Sequence, residues 1–274
     1  MSFFTVDKSK CCSDGICVDV CPIGILQMDA SGQMPVPVEG AENLCINCGH
    51  CLAVCPQGAI SLSAMPIKDC EPLRNNWNLS SEDVKHFLKG RRSIRLYKEQ
   101  LVDRAIIEQL VDTARYAPSG INLQPVSWKI VYEPQKVQEL AKRVIDWMIA
   151  QIKAESPFAK GLRMEKIVAA WDKGEDRICR KAPHIVIAYG LKDDGTAAQA
   201  STIALTYFEL IAAASGLGAC WAGYAGMAAS LDPEVKKFLG LRSRENCFGA
   251  MMFGYPKYQY RRIPLRNPAR ISWA

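Results

Sequence analysis

A cysteine pattern occurs twice in this 274-residue chain, at a constant offset of 34 residues, and it constrains the fold more than any other feature. The second copy reads Cys45, Cys48, Cys51, Cys55, Pro56, a C-x2-C-x2-C-x3-C-P run. In the first copy, Cys11, Cys17, Cys21 and Pro22 meet their counterparts, and so do Gly15, Val20 and Gly24 with Gly49, Val54 and Gly58. One ligand position differs: Asp14 stands where the second copy has Cys48. A chain that spends its cysteines in this way folds around something that binds sulfur.

The spacing is that of a bacterial two-cluster ferredoxin. Three thiolates on a tight loop reach three irons of one cubane, and the fourth cysteine of each run ligates the other cluster. Cys45, Cys48, Cys51 and Cys21 therefore form one complete site. Cys11, Cys17 and Cys55 form the other, together with whatever occupies the Asp14 position. Three solutions are open there: Asp14 ligates iron through oxygen, Cys12 supplies a thiolate after local rearrangement, or the site holds 3Fe-4S rather than 4Fe-4S. We read Asp14 as ligand or near-ligand, because Gly15 keeps its register with Gly49. A zinc ribbon requires paired C-x2-C knuckles at one site, which two C-x3-C-P runs do not provide. A disulfide framework does not match the spacing, and no export signal opens the chain.

The cysteine module accounts for about a quarter of the length, leaving enough chain for a second domain with its own core. Charge divides along the same line. The chain carries a net +6, yet up to Met65 two lysines face six carboxylates, so the remainder carries +10. A basic second domain favours an anionic ligand. Nucleic acid is not expected, since no Lys/Arg-rich run is interleaved with stacking aromatics. From Ile203 to Ala229 the only ionisable group besides two tyrosines and Cys220 is Glu209, but Gly216 and Gly218 would interrupt a membrane span. A buried helix over about 198–215 explains this stretch, and a cytoplasmic location suits oxygen-sensitive clusters.

The reading is residues 1–66 as the cluster domain, 67–80 as an extended linker marked by Pro66, Pro72, Arg74, Asn75 and Asn76, and 81–274 as the second domain. Ser81 is expected to cap a helix running through Val84, Phe87 and Leu88 to Gly90. Ile106, Leu110, Val111 and Ala114 keep helical spacing, as does the stripe from Val137 to Ile152. Trp128–Tyr132, His184–Tyr189 and Phe248–Phe253 read as strands. The fold class is α+β with a central sheet. The stretch from Trp147 through Met164 to Trp171 reads as amphipathic helix, core or dimer packing rather than a pocket roof. Cys70, Cys179, Cys220 and Cys247 lack ligand spacing and read as small buried fillers.

Four signatures in the second domain carry function: Arg91-Arg92-Ser93-Ile94-Arg95; Ala117-Pro118-Ser119-Gly120-Ile121-Asn122-Leu123-Gln124-Pro125; Gly216-Leu217-Gly218-Ala219-Cys220-Trp221-Ala222-Gly223; and Gly254-Tyr255-Pro256 with Arg261, Arg262 and Arg266. In this order they resemble the nitroreductase family of FMN-dependent oxidoreductases, from about Ser80 onward. The whole chain resembles the ferredoxin-fused branch of that family. The resemblance implies a nitroreductase-like FMN-binding α+β fold working as a homodimer, with FMN at the subunit interface. It further implies that Arg91, Arg92, Ser93 and Arg95 hold phosphate and ribityl oxygens. Pro118, Ser119, Gly120, Asn122 and Gln124 would reach the flavin from the partner subunit, Trp221, Ala222 and Gly223 would lie against the ring, and Arg261 and Arg262, or Arg266 in place of one of them, would close on the phosphate. No catalytic acid is assigned.

Flavin exchanges electrons singly or in pairs, so it can join one-electron clusters to a two-electron acceptor. The expected activity is reduction of a small electron-poor acceptor such as a nitroaromatic, quinone or activated alkene, with a ferredoxin or NAD(P)H as donor. Two other readings stand beside it: a reductive dehalogenase-type flavoenzyme, and an electron carrier or redox sensor acting on a protein partner.

Overall fold

The structure is a computed structural model that describes residues 2–74 and 78–274. Asn75 and Asn76, part of the expected linker, lie outside the described residues. The chain divides into two compact units, Met1–Asn78 with Ile121–Leu123, and Leu79–Gly120 with Gln124–Ala274.

The first unit contains β1 (Phe4–Val6), α1 (Ile16–Asp19), β2 (Leu26–Met28), β3 (Pro35–Pro37), α2 (Ala41–Leu44), α3 (His50–Val54) and β4 (Ile60–Leu62). β1 pairs antiparallel with β4 and β2 with β3. The 34-residue offset carries β2 onto β4 and α1 into α3, so the repeat in sequence is a repeat in structure. Gly15 and Gly49 precede these two helices at φ 73° and 72°, a left-handed conformation that costs glycine nothing. Phe4, Cys17, Leu26, Leu52, Ile60 and Leu62 form a small core. The expected linker is in part packed. Pro66 precedes a single 3-10 turn, Ile67–Asp69, and Met65, Ile67 and Cys70 pack against that core because their apolar side chains have somewhere to bury.

The second unit contains α4 (Ser81–Gly90), α5 (Arg104–Ala114), β5 (Ser127–Val131), α6 (Pro134–Lys153), α7 (Pro157–Gly161), α8 (Met164–Asp172), β6 (His184–Leu191), α9 (Ala197–Ala214), β7 (Gly218–Trp221), α10 (Gly223–Leu231), α11 (Pro233–Phe238) and β8 (Glu245–Gly254). The cap of α4 is Ser80, one residue earlier than expected: its Oγ accepts from the Asp83 amide at 3.0 Å. Strand order is β5-β6-β8-β7, all antiparallel. Side chains of a strand alternate between faces, and here each face has its own core. Ile185, Ile187, Ala250 and Met252 join the residues of α6 and α10 on one side. Val186, Ala188, Met251 and Phe253 join those of α5 and α9 on the other. Trp147 and Met164 are buried in the first of these cores, as the amphipathic stretch predicts.

His184, at the start of β6, is fully buried between Tyr132 and Phe253. Its Nε2 accepts from the Val102 amide at 2.9 Å, which requires the proton on Nδ1, facing the Tyr132 carbonyl at 2.6 Å. No helix is long and apolar enough to cross a membrane among the described residues.

Candidate functional site

In the first unit one expected set of thiols comes together around a cavity. Cys21, Cys45, Cys48 and Cys51 line one cavity, walled by Phe4, Leu26 and Leu62. Burial pushes the Cys51 thiol up to about 11, and Cys48, Cys21 and Cys45 are near enough to add to the rise. Cys17 is raised by burial likewise, with Asp14 and Cys55 as its acidic neighbours. Cys21 thus meets the thiols of the second run, and Cys55 lies near Cys17 of the first. Among the described residues no three ligating side chains converge on a point that would hold a single ion. Thiols set around a cavity suit the separate corners of a cubane instead.

The altered position is resolved in register. Ser13 and Asn47 share a left-handed backbone, φ 59° and 49°, and Gly15 and Gly49 share the next one. Asp14, between Ser13 and Gly15, thus falls where Cys48 falls between Asn47 and Gly49, and Cys12 falls on Ile46. The exposed Cys12 thiol donates to Asp14 Oδ2 at 3.2 Å, so both alternatives stand within one local contact. His50, counterpart of Ile16, is exposed at the start of α3.

In the second unit three of the four signatures converge. The Ile94 amide donates to the Ala219 carbonyl at 3.0 Å. The Lys98 amide donates to Tyr255 O and the Lys257 amide to Leu96 O, so the segment after the first signature is laced to the fourth. Glycine is required at 218: a Cβ there would lie 2.3 Å from the Ile94 side chain. The result is a cavity of about 310 Å³ with Arg91, Arg92, Glu209, Gly218, Ala219 and Tyr260 in its lining. Two guanidinium groups beside the close backbone of Gly218 have the chemistry to hold a phosphate ester.

Arg91 is also paired within the chain. Its Nη1 donates to Glu209 Oε1 at 2.7 Å, and the Glu209 side chain is only 9% exposed. Burial raises the Glu209 carboxyl, and Arg91 opposes that rise. Arg95 donates to the Ser93 carbonyl at 3.4 Å. Trp221 is 39% exposed, and its ring covers Gly249, where a Cβ would lie 2.9 Å from it. Ala222 donates to Ala250 O, and Gly223 opens α10. Arg261 and Arg262 are exposed in a segment without regular secondary structure, while Tyr260 beside them reaches the cavity. Cys220 is 2% exposed with its thiol raised by burial, a filler rather than a nucleophile.

The second signature lies apart from the cavity. Ser119 Oγ accepts from the Gln124 amide at 2.9 Å, and Gly120 sits against Thr196. Pro118 belongs to the same loop. Ile121, Asn122 and Gln124 all have positive φ, 42°, 56° and 48°, a concentration of backbone strain. Within the first unit the Asn122 amide donates to the carbonyls of Ile46 and Asn47 at 3.1 and 2.9 Å.

Sequence reasoning missed Glu209 and Tyr260 as cavity residues. The signal for Glu209 was present: a lone carboxylate in a long apolar run has to find a partner. A larger cavity, about 650 Å³, follows the free edge of β5 and holds none of the signature residues. Its charges are largely spent on each other, as in Arg104–Glu133 and Lys136–Glu139.

The sequence model of the Nitroreductase family matches residues 88–255, and that of the 4Fe-4S dicluster domain matches residues 10–60. An NADH dehydrogenase of Thermus thermophilus is 28% identical over 201 residues, 68% of this chain and 94% of that protein. A nitroreductase with bound FMN from Bacteroides fragilis superposes with a TM-score of 0.57 at 22% identity, covering 70% of this chain and 99% of that one. Another with bound FMN, from Desulfitobacterium hafniense, gives 0.55 at 19% identity, covering 72% and 100%.

Proposed function

Since the chain belongs to the nitroreductase family and carries a 4Fe-4S dicluster domain ahead of the family region, we propose that it is an FMN-dependent oxidoreductase fed by its iron-sulfur clusters. Its acceptor is a small, electron-poor organic molecule: a nitroaromatic, a quinone or an activated alkene. The observation that carries this reading is the cavity in which Arg91 and Arg92 meet the close backbone of Gly218 and Ala219.

In this reading Arg91 and Arg92 hold the cofactor phosphate, and Arg261 and Arg262 close on it from the C-terminal segment. Ser93 and Arg95 meet the ribityl chain. The backbone of Trp221, Ala222 and Gly223 lies against the ring, and Pro118, Ser119, Gly120, Asn122 and Gln124 approach it from the other subunit of a homodimer. The exposed apolar side chains of Leu265 and Trp273, 99% and 91% in solvent, support a second copy as the surface that covers them. Cys45, Cys48, Cys51 and Cys21 hold one cluster; Cys11, Cys17, Cys55 and Asp14 hold the other. Bound FMN supplies the exchange between one-electron centres and a two-electron acceptor.

Anaerobic stopped-flow mixing with chemically reduced ferredoxin, and separately with NADH or NADPH, tests the scheme. Fast flavin bleaching by ferredoxin places electron entry at the clusters; fast bleaching by a nicotinamide alone reverses the assigned direction. Protein purified with full clusters that binds no flavin overturns the reading.

A further inference from the structure

Glu209 is a carboxylate the proposed chemistry does not use. It is the only charged residue of α9 and is 7% exposed. A charge so placed is retained only with a partner, and its partner is Arg91, 118 positions away in sequence. The bond occupies one terminal nitrogen of the guanidinium, Nη1, at 2.7 Å. The other donors of a rigid planar fork are then fixed in direction. Arg92, Gly218, Ala219 and Tyr260 share the cavity into which that fork opens.

We infer that Glu209 is a positioning residue: through Arg91 it sets the geometry of the phosphate subsite, and so gives the chain its preference for a phosphorylated flavin over the same flavin without phosphate. The inference rests on the FMN reading of this cavity. A ligand's isoalloxazine and ribityl groups gain nothing from Glu209. A phosphate gains an arginine already held in place, without the rotamer freedom that a long side chain otherwise gives up on binding. The titratable and charged groups lining the cavity besides this pair are His86, Arg92 and Tyr260.

Flavin-depleted protein with its clusters intact is titrated with FMN and, separately, with riboflavin, for the wild type and for E209A, E209Q, R91A and the E209A/R91A double variant. E209A is expected to weaken FMN binding about tenfold or more, the scale on which partners behind a ligating residue act. Riboflavin binding should stay within about twofold. E209Q keeps an acceptor for Arg91 and should retain FMN affinity. The double variant, which leaves no unpaired buried charge, should bind FMN as R91A does, because Glu209 acts only through Arg91.

Equal losses for FMN and riboflavin would mark a general structural role and overturn the inference. Unchanged FMN affinity in E209A, or additive losses in the double variant, would overturn it too. Wild-type protein that binds neither flavin would instead overturn the FMN reading itself.

Discussion

Ile94 and Ala219 stand 125 positions apart in the chain, and a backbone hydrogen bond of 3.0 Å from the amide of the first to the carbonyl of the second joins two signature segments. The Ile94 side chain sits where a Cβ on Gly218 would be, at 2.3 Å. Gly218→Ala therefore cannot be absorbed by a small shift. We expect it to cost about 1–3 kcal/mol of stability, the usual range for overpacking, and to reduce flavin content on purification. Thermal unfolding and the flavin-to-protein ratio measure the two effects.

His184 predicts a pH dependence. Burial holds its pKa below the ordinary 6.5, and both ring nitrogens are committed in the neutral form. The unfolded chain therefore takes up this proton first as pH falls. The stability contributed is complete above pH 6.5 and is lost as pH drops from there through the lower folded value. Unfolding midpoints measured at descending pH should fall for the wild type. H184Q should be less stable near neutrality but show a shallower decline.

The register of Asp14 against Cys48 predicts the behaviour of the first cluster. An iron held by a carboxylate in place of a thiolate should be lost on mild oxidation, giving the electron paramagnetic resonance signal of a 3Fe centre. D14C should suppress that signal. C12A should leave it unchanged, since Cys12 falls on Ile46 rather than on a ligand position. A signal abolished in C12A would make Cys12 the ligand.

The first unit's core is six residues, two of them on α1 and α3 directly beside the ligand loops. Cores this small depend on staples. Removing iron with a chelator under reducing conditions should expose the chain up to Asn78 to proteolysis. The second unit, with a core on each face of its sheet, should remain resistant, and mass spectrometry of the fragments distinguishes the two.

The parts legible in the sequence were those in which chemistry acts over short spans. Cysteine spacing is local, and it anticipated that Cys21 would join Cys45, Cys48 and Cys51 around one cavity. Helical periodicity located α5 and α6, where apolar faces repeat over several turns, and a long stretch with a single carboxylate located α9. Strand β7 was not legible: Gly218 to Trp221 reads as a glycine turn, and pairing with β8 makes it a strand. α10, rich in alanine and glycine, has little amphipathic contrast. α11 did carry a signal, Asp232 before Pro233, with the carboxylate accepting from the Val235 amide at 2.8 Å. The Arg91–Glu209 pair could not be read from either residue alone, because the fold brings them together across 118 positions of sequence.

Consecutive residues of β6 serve different cores: Ile185 and Ile187 one, Val186 and Ala188 the other. A slip of one residue would send each side chain into the wrong core. The strand thus works as a gauge of length. Loss or gain of a single residue within it would mismatch both halves of the domain together, whereas the same change in a surface loop would leave the pairing intact. Descendants of this chain should vary in loop length freely and in the length of β6 hardly at all.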